Sequence, residues 1–195
     1  MSLLSKKAAV LLLAAVAGFG SVSAFAAAKA PAKEAAAQKV TVLGGKFVFT
    51  LPKGFSADTL PHGDAADGTA GATGTMYTNS TTKTVVIVAQ NTIPGGVNVK
   101  DNDSDFLDRA ASDFVAQQTK ALPDFKLISE KSLSKKGQGL GLRQITSNAT
   151  QGGGPTLDTT LLTASGTRTA LVQIVSRASD VAGHEALVKQ ILAEQ

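Results

Sequence analysis

The chain has 195 residues, of which 43% are hydrophobic and 17% are charged, so it suits one folded domain with an appendage and not a disordered protein. The net charge of +4 comes from lysines near the start, because residues 40–195 hold equal numbers of acidic and basic residues, and this excludes a typical nucleic-acid-binding protein. The absence of cysteine excludes disulfides, thiolate catalysis, Cys-ligated zinc and lipid attachment through Cys.

The first 26 residues have the pattern of a secretory signal peptide. Two lysines precede an uninterrupted small and apolar run at residues 8–19. This run is shorter than the roughly 20 residues that a membrane-spanning helix needs. An Ala-Phe-Ala tripeptide then supplies a cleavage site. We predict cleavage after Ala26 or, as second choice, after Ala24. A retained N-terminal anchor is the alternative.

Residues 27–39, AAKAPAKEAAAQK, predict a linker because they have no apolar stripe that could dock on a core. A single domain is predicted over residues 40–195. It begins with two strands joined at Gly44-Gly45, and the second strand ends at Pro52. Alternation puts three of its apolar side chains on one face, namely Phe47, Phe49 and Leu51.

The next segment, Lys53–Gly74, lacks periodicity and is predicted to be irregular, either a functional loop or, as we favour, slack chain. A hairpin follows at Thr75–Asn79 and Thr84–Gln90. The continuous β-branched run in its second strand predicts cover on both faces. Apolar residues at helical spacing then predict a helix over Ser104–Leu122.

Two more strands are predicted at Phe125–Leu133 and Leu140–Thr150, around a Lys135-Lys136-Gly137 turn and with a bulge near Ile145. The last hairpin, Thr156–Ser176, is linked at Ser165-Gly166. Its strands are apolar on both faces, which predicts a place in the middle of a sheet.

A final amphipathic helix over Asp180–Ala193 is the expected cover for this hairpin. The element order predicts an α+β fold, in which a mainly antiparallel β-sheet is flanked by two helices.

No motif nominates a catalytic residue, a cofactor site or a metal site. The run from Asp101 to Asp105 begins like a calcium loop, but Phe106 replaces the required glycine and Ser112 the last carboxylate, so we interpret it as a helix N-terminus. The glycines at 137, 139 and 141 lack dinucleotide spacing. His62 lies in the slack segment, and the helical spacing of His184 predicts a half-buried, non-catalytic side chain.

Several blocks resemble the DcrB family of bacterial envelope proteins, namely VLGGKFVFTLP at residues 42–52, KTVVIVAQ at 83–90 and GLRQITS at 141–147. The resemblance also includes the predicted helix and strand between residues 90 and 141, and the final hairpin and helix. The resemblance implies a PsbP-like α+β fold and a family linked by name to phage adsorption, with no catalytic residues to carry over. Comparable members have a lipobox Cys that is absent here. We therefore expect a non-lipidated, soluble periplasmic form with at most transient membrane association.

Three functions follow as hypotheses. The first is a non-enzymatic envelope protein that binds another protein, of unknown identity, or maintains the envelope, using an exposed loop or sheet edge. The second is a periplasmic small-ligand or lipid carrier with Lys53–Gly74 as a lid. The third is an enzyme with an unfamiliar pair of carboxylates. A deep apolar pocket would favour the carrier, close carboxyls of shifted pKa the enzyme, and an uncovered apolar patch the binding protein.

Overall fold

The computed structural model describes residues 35–63, 71–134 and 139–193. The predicted signal peptide, residues 27–34 of the predicted linker and the Lys135-Lys136-Gly137 turn lie outside these residues. The described elements are β1 (Gln38–Val42), β2 (Phe47–Leu51), β3 (Ser56–Thr59), β4 (Thr73–Asn79), β5 (Thr84–Thr92), α1 (Ser104–Ala121), β6 (Lys126–Ser134), β7 (Gly141–Gln151), β8 (Gly154–Ser165), β9 (Arg168–Arg177) and α2 (Val181–Ala193).

A seven-stranded antiparallel sheet organises the domain, with strand order β3-β4-β5-β9-β8-β7-β6. The β8–β9 hairpin occupies its middle, as its two apolar faces predict. The link is one residue later than predicted, because Ser165 already pairs with Arg168 and leaves Gly166 and Thr167 between the strands. The α+β fold with two helices and a mainly antiparallel sheet is confirmed.

One face of the sheet is covered by α2 and by β1 and β2. The last two form a separate two-stranded sheet. Helix α2 contacts β2, β8 and β9. The three side chains predicted to share a face of β2, Phe47, Phe49 and Leu51, are fully buried in the core cluster that also holds Leu187, Val188 and Ile191 of α2. We call this side of the sheet the α2 face.

The opposite side, the α1 face, is covered by α1 where the helix contacts β7 and β8. Ala111 and Phe114 of α1 pack on three apolar side chains of the sheet, namely Ile145, Leu162 and Leu171. Arg143 of β7 lies beneath the start of the helix, where its Nε donates to Asp108 Oδ1 at 2.6 Å. This contact holds the pKa of the Asp108 carboxyl below its usual range. The helix is therefore fixed by both apolar packing and an ion pair.

The predicted bulge near Ile145 is wrong. β7 pairs with β8 without a break from Leu142 to Gln151, and the irregularity lies instead in β6, between Leu127 and Ser129. Arg143 and Ile145 follow the ordinary alternation on the α1 face, and Leu142 follows it on the α2 face. Because both faces of β7 are covered, apolar residues are buried at odd and at even positions of the strand. In the sequence this looks like a break in the apolar–polar alternation, although the strand is regular.

The segment Lys53–Gly74 is more ordered than predicted. It contains the short edge strand β3, which pairs with β4, while residues 64–70 lie outside the described residues. Phe55 and Leu60, on either side of β3, are buried. A Cβ on Gly74 would lie 2.8 Å from Leu60 Cδ1, and Leu60 donates its N–H to the Gly74 carbonyl at 3.0 Å, so the chain continues to pair alongside β4 beyond β3.

Helix α1 begins at a side-chain cap that can be tested. Asp103 accepts a hydrogen bond from the Phe106 backbone N–H at 3.0 Å. Asp103→Ala removes this acceptor and should lower the free energy of unfolding by about 1 kcal/mol. Asp105→Ala, in the first turn but not the cap, is the matched control and should lose less. Urea unfolding of both variants measures the difference, and equal losses would contradict a capping role.

Candidate binding sites

The acidic run before α1 forms a structural contact at the end of the sheet. Asp103 caps the helix, and Asp101 accepts hydrogen bonds from Lys46 Nζ at 2.7 and 2.9 Å and from Ser165 Oγ at 2.6 Å. These partners hold the pKa of Asp101 below its usual range. Within residues 35–63, 71–134 and 139–193, no three His, Asp or Glu side chains are placed to hold a metal ion.

The glycine run before β7 belongs to the same end of the sheet. Gly141 donates its N–H to the Asp101 carbonyl at 2.7 Å, and a Cβ on it would lie 3.0 Å from Leu107 Cδ1. The close approach of β7 to α1 therefore makes a side chain at this position crowded unless Leu107 shifts. Gly139 is described, with a positive φ, whereas Gly137 is outside the described residues.

The two histidines occupy opposite environments. His62 is exposed. His184 is only 2% exposed, more deeply buried than its spacing predicts. Its Nε2 lies 2.8 Å from Thr159 Oγ1, and its Nδ1 lies 3.0 Å from Ser176 Oγ. Burial lowers the pKa of His184 to about 4, so the neutral ring donates one bond and accepts the other. The contact joins α2 to β8 and β9 beneath the protein surface.

A buried carboxyl that no motif indicated lies in the middle of β8. Asp158 is 3% exposed, and its Oδ2 accepts hydrogen bonds from Thr156 Oγ1 and Gln151 Nε2, each at 3.0 Å. Burial raises the pKa of Asp158 to about 7 against these two bonds, and no second carboxylate contributes to the shift. The arrangement is therefore not a coupled carboxylate pair. The residue could have been noticed as the one charge in a strand that is buried on both faces.

Two buried acceptor atoms in this region have no hydrogen-bond partner among the described residues: Asp158 Oδ1 and Gln173 Oε1. Gln173, on β9, is 2% exposed. Leaving such an acceptor unpaired costs about 1–3 kcal/mol. When Asp158 is ionised, above its pKa of about 7, these atoms therefore mark a place where a donor from outside the described chain would be stabilising.

The β6 edge carries the most exposed apolar pair of the described residues. β6 is the last strand of the sheet order and pairs on one side with β7. Leu127 is 41% exposed and Ile128, at the bulge, is 51% exposed. The opposite edge strand, β3, has four residues, whereas β6 has nine. An exposed, long edge with apolar side chains is a template for pairing with another chain.

No helix in the described parts of the chain combines the length and apolar composition that crossing a membrane requires.

Comparisons with known proteins bear on the fold alone. No family model matches the chain, and no curated protein matches it. The solution structure of cyanobacterial PsbP (CyanoP) from Synechocystis sp. PCC 6803 superposes with a TM-score of 0.56 at 11% identity, covering 85% of this chain and 96% of that one. A Pseudomonas aeruginosa protein of unknown function gives a TM-score of 0.44 at 12% identity, over 80% and 92% of the two chains. The PsbP-like fold is confirmed, and membership of the DcrB family remains a prediction.

Proposed function

We propose that this chain is a non-enzymatic envelope protein, exported to the periplasm, that binds another protein at the β6 edge. The observation that carries the proposal is the exposed pair Leu127 and Ile128 on a nine-residue strand with one side unpaired by any described strand. The signal-peptide pattern of the first 26 residues supports export. The resemblance to the DcrB family adds envelope maintenance and phage adsorption as settings for such binding.

Backbone pairing would supply the affinity at this edge. An extended segment that adds to a sheet forms main-chain hydrogen bonds with the edge strand, while alternate side chains give specificity. After the bulge, β6 pairs regularly with β7 from Ser129 to Ser134. This regular part offers the backbone, and Leu127 and Ile128 offer an apolar contact at its start.

The charges in the middle of β6 disfavour a second copy of the chain as the partner. In an antiparallel pair, two residues that lie opposite each other either both direct their backbone N–H and C=O groups towards the other strand or both direct them away from it. A two-fold pair of identical strands therefore places one residue opposite itself. Pairing centred on Glu130 or Lys131 would place like charges directly opposite each other, which is destabilising, and this leaves a second copy only the registers centred on another residue of β6. We take a different protein as the partner.

The register also gives the chemistry of that partner. Glu130 is opposite Ile145 on the α1 face, and Lys131 is opposite Gln144 on the α2 face. A complementary strand would carry a basic residue next to Glu130 and an acidic residue next to Lys131, since opposite charges in cross-strand pairs are stabilising.

A photo-crosslinking residue at position 128 tests the proposal. In cells of the source organism, we expect it to give one discrete adduct with an envelope protein. With the crosslinker at position 127 instead, Ile128→Asp should reduce the yield of this adduct at least tenfold relative to the chain that keeps Ile128, because a carboxylate replaces the apolar contact. Unfolding by urea should stay within about 0.5 kcal/mol of the parent, since the site is exposed.

Val181 provides the matched control. It is an apolar side chain with 47% exposure at the start of α2, a helix that packs on β2, β8 and β9. A crosslinker at Val181 should give no such adduct, and Val181→Asp should leave the yield at Leu127 unchanged. Equal adducts from positions 128 and 181, or none from 128, would contradict binding at the edge.

A small-ligand carrier is the second candidate. It is favoured by the unpaired acceptors Asp158 Oδ1 and Gln173 Oε1, and by Leu60, which lies over Gly74 on the face that carries both acceptors.

A further inference from the structure

Asp158 and Gln173 lie together on the α1 face of the two central strands. Asp158 alternates along β8 with Leu162, which packs on α1. Gln173 lies on β9, directly opposite Thr160 of β8, and is two residues from Val175, the β9 residue opposite Asp158. The two are therefore diagonal neighbours, about 7–8 Å apart at Cα, a separation that long side chains bridge.

The strand register extends from each acceptor towards the β3 edge. Gln173 on β9 lies opposite Ile87 on β5. Ile87 in turn lies opposite Met76 on β4, and Met76 lies opposite Asp58 on β3. Asp158 is followed in the neighbouring row by Val175 and Val85. Each buried polar residue thus has an apolar neighbour on the same face, on the side away from α1.

Exposure increases along both rows. Ile145, beneath α1, is buried, as are Gln173 and Ile87, whereas Met76 is half-buried and Asp58 is exposed. In the second row Asp158 is buried, and Val175 and Val85 are half-buried. The acceptors are therefore buried, and the half-buried apolar side chains Val175, Val85 and Met76 lie between them and the β3 edge.

We propose that Asp158 Oδ1 and Gln173 Oε1 bind the ammonium group of a small primary amine whose apolar tail lies on Ile87, Val175 and Val85. An ammonium group carries several N–H donors, so it satisfies both oxygens at once. Its positive charge pairs with the carboxylate, and a charge-assisted hydrogen bond is about twice as strong as a neutral one. The site is separate from the β6 edge and does not depend on the proposed protein binding.

Other occupants fit this pair less well. An anion would be repelled by the carboxylate and would offer no donor to the amide oxygen. A metal ion needs more ligating oxygens than two, and no three His, Asp or Glu side chains gather among the described residues. A water molecule supplies two donors and is the simplest competitor, so the experiment must separate it from the amine.

The test compares two probes with the same charge and tail, n-butylammonium and n-butyltrimethylammonium, at constant ionic strength and pH 8. Titration followed by NMR should give saturable shifts at the backbone amides of Gln173 and Val175 with the first probe only, because the second has no N–H donor. Asp158→Asn and Gln173→Leu should each weaken the affinity for n-butylammonium at least tenfold. Asp58→Asn, at the exposed end of the same row, is the matched control and should leave the affinity within twofold.

Three results would overturn the proposal. The first is equal binding of the two probes, which needs no variant to fold. The second is unchanged affinity in folded Asp158→Asn and Gln173→Leu proteins. The third is absence of saturable shifts together with a long-lived internal water next to Gln173, which would assign the two acceptors to hydration alone.

Discussion

Asp158→Asn should raise the free energy of unfolding at pH 8 and leave it nearly unchanged at pH 3. In the folded protein, burial raises the pKa of Asp158 to about 7 from an ordinary value of 3.8. Below pH 4 both states hold the proton. Between pH 4 and 7 the folded state keeps a proton that the unfolded state has released, so stability falls as pH rises. The full loss, above pH 7, is at most about 4 kcal/mol, at 1.36 kcal/mol for each pKa unit.

Asparagine removes this loss because it has no charge to bury. Its amide oxygen retains an acceptor for Thr156 and Gln151, and its N–H group supplies a donor on the side where Asp158 Oδ1 and Gln173 Oε1 have none. Urea unfolding at intervals from pH 3 to 8 measures the effect. If the free energy of unfolding of Asp158→Asn followed the same pH dependence as that of the parent, the Asp158 carboxyl would be ionised in the folded protein at low pH.

The main elements could be predicted from the sequence because their apolar patterns are local. The alternation from Phe47 to Leu51 and the helical spacing of Leu107 and Phe114 each determine a buried face without knowledge of the partner. Pairing between distant strands is not local, so the sequence did not show that β1 and β2 stand apart from the main sheet. β3, Ser-Ala-Asp-Thr, has no apolar alternation at all, so no local pattern indicated a strand there.

The candidate sites were less predictable than the fold. The spacing of His184 from Leu187 and Val188 indicated burial, but its partners Thr159 and Ser176 lie on other elements and are joined to it by the fold alone. The apolar pattern of β8 predicted burial on both faces, which puts Asp158 in the interior, but the pattern did not indicate which side chains would contact the carboxyl.

His184→Gln should remove a pH dependence of the opposite sign. Burial lowers the pKa of His184 to about 4 from 6.5. As pH falls below 6.5, the His184 ring binds a proton in the unfolded state but not in the folded state. The free energy of unfolding therefore falls with pH, by about 3 kcal/mol at pH 4. Glutamine is neutral throughout, so the variant should lose stability at pH 7 through poorer hydrogen bonding to Thr159 and Ser176, by about 1–3 kcal/mol, but should lose no more on acidification from this source.

The two groups oppose each other between pH 4 and 6.5. In that window the Asp158 carboxyl makes stability fall with rising pH, while the His184 ring makes it rise. We expect the parent profile to be shallow there because the slopes partly cancel. Each single variant should then show the pH dependence that the other residue causes. Asp158→Asn should become steeply less stable as pH falls, and His184→Gln should become less stable as pH rises towards neutral. Urea unfolding of both proteins at pH 4, 5 and 6 measures the slopes. Two slopes of the same sign would contradict this account, because either the Asp158 carboxyl would then be ionised or the His184 ring protonated within the folded protein across this window.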